Sequence, residues 1–319
     1  MSTASSTPVL PPPGSHFPDV AFKWAAALAA AMIVVLIVLI GCELYAGSRL
    51  SLAKFGLGFL WSSEWDPVSD KYGALPFIFG TLVSSLLALL IAVPLGVATA
   101  LFLTELAPLK LRQPIVMAIE MLAAVPSVIF GLWGIFVLIP WLRDHLFVWL
   151  KHTLGFLPLF QGPIYGVSML AAGIIIAIMI LPIITSISRE ILRSVPNLQR
   201  EAAYALGATR WEVLKIAVLS YARRGLFGAA VLGLGRALGE TMAVTMVIGN
   251  RPQISLSLFA PGHTLASVIA NEFAEATTDL YLSSLFELGL VLLGVAILVN
   301  VAAQIMLKSM TGRVPIKAN

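Results

Sequence analysis

The chain has 319 residues, 59% of them hydrophobic and only 11% charged, with a mean hydropathy of +0.96. A soluble domain carries about 25% charged residues, so the composition excludes a soluble globular protein and defines an integral membrane protein embedded in a phospholipid bilayer. The single cysteine, Cys42, excludes an intrachain disulfide and a cysteine zinc cluster, and basic residues scattered among apolar runs leave no nucleic-acid-binding domain.

Residues 1–20, which contain TPVLPPPGS, are proline-rich and polar and predict a disordered cytoplasmic tail. A membrane span needs about 20 apolar residues at 1.5 Å each. Six stretches qualify, at about 24–45, 75–103, 114–139, 164–187, 225–249 and 283–307. The expected fold is therefore an all-α transmembrane domain over residues 21–319. LIGC, ending at Cys42, fits a lipoprotein cleavage site. The run before it is too long for a signal peptide, however, and carries only Lys23 as a basic residue, so it reads as an uncleaved helix. Pro94 and Pro126 should bend their helices. Glu120, in the third stretch, has no basic residue one turn away and would be protonated or paired with a neighbouring helix; Glu287, near the start of the sixth, reads as interfacial.

Basic residues give the orientation. The tail, the second and fourth loops and the C-terminus hold 13 of the 20 Lys and Arg, the alternate loops hold 6, and Arg236 lies within a span. The positive-inside rule then places both termini and the fourth loop, residues 188–224, in the cytoplasm.

That loop is too polar to cross and too patterned to be a linker. Pro196 and Asn197 interrupt it, and QREAAYAL resumes as a good helix former. Gly207 suits a left-handed helix end. Thr209 with Glu212 has the spacing of a capping box for a second helix. The pattern predicts a helix, a tight turn and a helix projecting from the membrane. The plainer alternative is an amphipathic hairpin lying on the lipid surface.

The fifth span contains GLGRALGETMAVT, with Arg236 and Glu240 in the middle. On a continuous helix the two residues lie about 40° apart and share a face flanked by Gly233, Gly235, Ala237, Gly239 and Ala243. Small residues let helices approach closely, which would shield the charges from lipid. Two readings are open: a structural ion pair at i, i+4, or an anion pathway in which Arg236 offers a planar fork of donors to a tetrahedral oxyanion and Glu240 holds the arginine or repels the anion. Intramembrane ionisable residues are functional by default, so Arg236, Glu240 and Thr241 are taken as the candidate substrate pathway.

EAAYALG followed by AVLS resembles the EAA loop of permease subunits of ATP-binding-cassette importers. Glu201, Ala202, Ala203, Gly207 and Leu219 fall on the family pattern, while Ala217 and Ser220 depart from its end. GLGRALGETMAVTMVIGN, VPSVIFGLWG, ALPFIFGTLVSS and TLASVIANEFAEA extend the resemblance, from about residue 60 onward, to the PstC-type permeases of bacterial phosphate importers. The resemblance implies an importer-permease (MetI-like) fold in a bacterial inner membrane, with Glu201, Ala202, Ala203 and Gly207 coupling to an ATPase. It also implies a PstA-type permease subunit, two copies of a PstB-type ATPase and a PstS-type phosphate-binding protein as partners. The chain has no G-x-x-x-x-G-K-[ST] phosphate loop, so it is expected to be no enzyme. It would bind no cofactor, with ATP and Mg held by the partner ATPase. A permease for molybdate or sulfate, a proton-coupled secondary transporter and a purely structural subunit are the alternatives.

Overall fold

The computed structural model describes residues 16–309. Twelve helices are used below: α1 (His16–Gly47), α2 (Arg49–Phe55), α3 (Gly58–Trp61), α4 (Leu75–Leu106), α5 (Leu109–Ala123), α6 (Ser127–Leu154), α7 (Met169–Arg193), α8 (Asn197–Ala205), α9 (Arg210–Leu238), α10 (Met242–Val247), α11 (Leu265–Glu272) and α12 (Asp279–Ser309). Among the described residues there is no β-sheet, only an isolated bridge between Asp66 and Lys71. Six helices, α1, α4, α6, α7, α9 and α12, are long and apolar enough to cross a membrane.

The core is the pairing of α4 with α7, which the long helix α9 joins. Alanines at 88, 92, 171, 172 and 177 are fully or almost fully buried there. Gly173 shows how close the backbones come, since a methyl group at that position would meet the Leu87 Cβ at 2.8 Å. Ile175, Ile176, Ile180 and Ile184 fill the rest of the interface. Alternating small and β-branched residues let two apolar helices pack densely where lipid supplies no hydrophobic drive.

A second core joins α3, the start of α4, α11 and α12, through Phe59, Tyr72, Phe77 and Leu285. Trp65 stands edge-on to Phe77 at 4.9 Å between ring centroids. The Glu272 carboxylate accepts hydrogen bonds from Trp65 Nε1 at 2.9 Å and from the Tyr281 hydroxyl at 2.6 Å. His263 is buried edge-on to Phe77 at 5.4 Å between ring centroids, its Nδ1 2.7 Å from the Ser267 hydroxyl, and burial lowers its pKa to about 4.

The sequence reading departs from the structure in three places. The tail expected over 1–20 is helical from His16, and residues 1–15 lie outside the described residues. The third stretch, 114–139, is two elements. Pro126 disfavours helical geometry at Val125 and itself sits at φ −59°, ψ 142°, so it starts α6 instead of bending it. The crossing helix is Ser127–Leu154, and α5 is a separate segment before it. The fifth stretch is also broken, with consequences for the site. Pro94 does lie inside α4.

Candidate functional site

The loop between α7 and α9 forms the predicted helix–turn–helix. Val195 precedes Pro196, which ends α7, and α8 begins at Asn197. Gly207 ends α8 in the left-handed region at φ +83°, where a β-carbon would be strained. Its N–H donates to Tyr204 O at 2.9 Å and the Ala208 N–H to Ala203 O at 3.2 Å, the paired bonds of a Schellman turn. Thr209 and Glu212 form the expected capping box: Thr209 N donates to Glu212 Oε2 at 2.7 Å and Glu212 N to Thr209 Oγ1 at 3.4 Å. The turn between the two helices is therefore fixed by their own termini, while α9 also packs through Leu214 and Val218 against Ala100, Leu192 and Val195.

No residue of α8 is buried. Leu206 is 90% exposed, Leu198 74% and Trp211 66%. Large apolar side chains are thus clustered and exposed on this one hairpin. Glu201 and Ala202 are exposed on it, and Ala203 is half-buried.

Sequence reasoning missed what holds this hairpin to the membrane body. Arg200 Nη2 meets Glu105 Oε1 at 2.8 Å, with both side chains under 20% exposed, and also donates to Leu192 O. Arg210 donates to the Glu105 backbone carbonyl. Glu105, near the end of α4, is thus the anchor for both helices of the hairpin. The available signal was an acid at the end of the second apolar stretch facing a loop rich in arginine. Glu120 pairs across helices, as one of its two readings expected: its Oε1 lies 3.6 Å from Nη2 of Arg189 on α7. Glu287 is buried within the protein, 3% exposed.

The motif in the fifth span folds differently from a continuous helix. α9 ends at Leu238, Gly239 takes φ −94°, ψ 5°, and α10 starts at Met242. The face that carried Ala229, Gly233 and Ala237 is buried, with Gly233 set against Ile184 of α7. Arg236 points away from that contact. It is exposed and takes part in no ion pair among the described residues. Gly235 and Gly239 beside it are exposed, and a β-carbon at Gly235 would meet nothing within 4 Å.

Glu240 turns the other way. It is 8% exposed, and its Oε1 accepts from Ala243 N at 3.5 Å, within the first turn of α10. The i, i+4 pair expected from the sequence is therefore not formed, because the chain leaves helical geometry between the two residues. The Thr241 hydroxyl donates to Gly239 O at 3.2 Å, and its carbonyl accepts from Thr245 N and Oγ1 at 3.0 and 2.8 Å, which fixes the break. α10 packs against α6, α7 and α11. The arrangement combines a guanidinium with no ion-pair partner among the described residues, on a helix long and apolar enough to cross a membrane, a carboxylate held away from it and two exposed glycines.

A family model described as binding-protein-dependent transport system inner membrane component matches residues 92–312. The chain is 48% identical to the phosphate transport system permease protein PstC of Mesorhizobium japonicum, covering 92% of this chain and 91% of the relative. It is 46% identical to the protein of the same name from Haemophilus influenzae, covering 91% and 93%. The PstC 2 protein of Mycobacterium tuberculosis is 44% identical, with 89% and 90% covered. In fold, the chain is similar to a chain of the MetNI methionine ABC transporter in an inward-facing conformation (TM-score 0.50, 19% identity, 73% of this chain and 92% of that one). It is also similar to a chain of a bacterial ABC transporter involved in import of the acidic polysaccharide alginate (TM-score 0.51, 19% identity, 93% and 99%). The six crossings, the projecting helix–turn–helix and near full-length similarity agree: the chain is a multi-pass membrane protein that belongs to the inner-membrane permease components of ABC importers and, among them, to the PstC-type permeases.

Proposed function

We propose that this chain moves inorganic phosphate into the cytoplasm as one half of a paired permease in a bacterial inner membrane, with both termini cytoplasmic. The observation that carries the reading is Arg236, a charge within a crossing helix that no carboxylate among the described residues neutralises. Such a charge costs about 2.5–3.5 kcal/mol on insertion scales, so it should face a polar route and not lipid. A tetrahedral oxyanion matches the planar donor fork of arginine. Glu240, held by α10, leaves the fork free and sets a repulsive boundary that keeps the anion from settling, while Thr241 keeps the turn in place. The bare glycines let a PstA-type partner approach closely from the open side.

The exposed hairpin with Glu201, Ala202, Ala203 and Gly207 supports docking to one of two copies of a PstB-type ATPase, which would bind the ATP and Mg. A PstS-type protein would deliver phosphate at the opposite face. In this reading the chain binds no cofactor and carries out no hydrolysis. From Arg210 at the hairpin to Arg236, α9 is helical throughout, with a π-helical stretch at Leu214–Leu219, so displacement of the hairpin would be passed along one continuous helix to the arginine.

The test is ATP hydrolysis by the reconstituted assembly. Inorganic phosphate delivered by the binding protein should stimulate it, and sulfate and molybdate should leave it at the basal rate; stimulation by either of those instead would overturn the substrate assignment. For orientation, Ala205→Cys in a Cys42→Ser background should react with a membrane-impermeant maleimide only after cells are opened. Reaction in intact cells would reverse the topology.

A further inference from the structure

At the end of the molecule away from the hairpin, the segments 62–74, 155–168, 249–264 and 272–279 connect the crossing helices. Their charges are divided. The bond from Trp65 to Glu272 joins the first segment to the last. Those two carry Glu64, Asp66, Asp70, Glu272, Glu275 and Asp279 against Lys71 alone. The other two hold no acid at all; neither residues 145–189 nor residues 241–271 contain an Asp or Glu. Their half of the surface carries Lys151 and Arg251 instead.

The loop that bears Arg251 is pinned by its backbone. Arg251 N donates to Gly262 O and Gly262 N to Ile248 O, both at 3.0 Å, while Met169 N and Leu170 N, at the start of α7, donate to Ala260 O and Leu258 O at 3.0 and 2.9 Å. Between this loop and residues 161–165 lies a cavity of about 260 Å³ whose polar lining is Gln161, Tyr165, Arg251, Gln253, Ser255 and Ser257. The Arg251 guanidinium takes part in no ion pair among the described residues. Ser255 Oγ accepts from Ser257 N at 3.1 Å, which leaves its O–H to donate. Lys151 Nζ donates to the carbonyl of Gly162, a wall residue, at 2.9 Å and so brings a second positive charge to the rim.

A concave site edged by two cations, with hydroxyl donors and no carboxylate in its lining, concentrates anions. Its guanidinium adds the planar fork that fits a tetrahedral oxyanion at two oxygens. Screening over about 8 Å at physiological ionic strength keeps the attraction local to this half of the surface, while the acidic half repels the same ion. The cavity is also placed on the way to the broken helix. Arg236 precedes α10 and Arg251 follows it, and α10 has six residues, about 9 Å of helix. We propose that the Arg251 cavity is an outer receiving site for a tetrahedral oxyanion, occupied before the anion reaches Arg236. The direction of travel rests on the phosphate reading above; the binding itself does not.

The test uses the full chain, purified with its accompanying subunits in nanodiscs and without the binding protein. Arginines are labelled with p-hydroxyphenylglyoxal, and the rate at each is followed by peptide mass spectrometry. Inorganic phosphate should slow labelling of Arg251 at least threefold, and chloride at matched ionic strength should not. Arg143, which is paired with Asp144, serves as the internal control and should keep its rate. No slowing at Arg251, or equal slowing by chloride, would overturn the proposal. So would equal slowing by the phosphate-free binding protein in place of phosphate, which would put the arginine against an acidic patch of that protein. In proteoliposomes, Arg251→Gln should raise the concentration of loaded binding protein that gives half-maximal uptake at least fivefold and lower the maximal rate much less, with Arg251→Lys intermediate; an unchanged half-maximal concentration would count against the site. Protection of Arg251 in an assembly whose ATP hydrolysis ignores phosphate would uphold this site and refute the transport reading, and stimulation without protection would do the reverse.

Discussion

Replacing Arg236 and Glu240 singly and together separates a structural charge pair from an anion site. In a buried ion pair, loss of one partner costs about 3–5 kcal/mol, because the other charge is stranded, and loss of both largely repairs the damage. The geometry here predicts different numbers. Arg236 is exposed and unpaired within the described chain, so Arg236→Ala should change stability by no more than about 0.5 kcal/mol. Glu240→Ala removes the acceptor for Ala243 N at the start of α10 and should cost about 0.5–2 kcal/mol, as for other lost helix caps. With no shared partner, the two effects should add to within about 0.5 kcal/mol. Unfolding is measured for all four corners of the cycle in one detergent, with assembly checked by size exclusion and uptake of labelled phosphate measured in proteoliposomes. The double variant should be stable, assembled and inactive in transport, and Arg236→Lys should restore only part of the uptake, since lysine keeps the charge but not the donor fork. A coupling energy above about 2 kcal/mol, or uptake regained in the double variant, would refute the reasoning.

Gly207→Val should strain the turn at φ +83° by about 1–2 kcal/mol and weaken ATPase association, with Gly207→Asn much milder; a normally coupled Val variant would contradict this. Arg200→Ala removes the bond to Glu105 and a bond to the Leu192 carbonyl, a loss of about 1.5–3 kcal/mol that should appear as faster amide exchange across residues 197–213. His263 has a folded pKa of about 4, below its ordinary 6.5, so the unfolded chain binds the extra proton first. Stability should be full above pH 6.5 and fall by about 3 kcal/mol as pH drops from 6.5 through 4. Melting curves of His263→Gln over that range should lack this component.

The crossing helices were legible because lipid imposes a single requirement, about 20 apolar residues, and composition carries that signal unaided. The hairpin was legible because its shape is set locally: Gly207 and the Thr209–Glu212 box act within a few residues of chain. What hydropathy could not show was where an apolar run stops being one helix. MLAAVPSVIFGLW is uniformly apolar, yet Pro126 divides it, and only its effect on Val125 marks the division. The anchor at Glu105 was invisible for a different reason. Its partner Arg200 is 95 residues away, and a single sequence holds no measure of that distance. The same limit hid the burial of Glu287, which packs beside Ser51 from the other end of the chain.

The break at 239–241 resolves a conflict that the unbroken helix would create. An arginine followed four residues later by a glutamate on one helix face will pair, and in a medium of low dielectric the pairing is strong. A paired guanidinium has its donor fork occupied and cannot serve a passing oxyanion. Ending α9 at Leu238 prevents this without removing either charge. The glycine at 239 ends the helix, and Thr241 closes the turn through its bond to Gly239 O. Glu240 is redirected into the first turn of α10, where Ala243 N takes up its carboxylate. Its carboxyl lies outside ion-pair distance of the arginine. Under the proposed phosphate route, GRALGET keeps two charged residues near in sequence and separate in space, and the glycine and threonine at the break belong to that arrangement as much as Arg236 and Glu240 do.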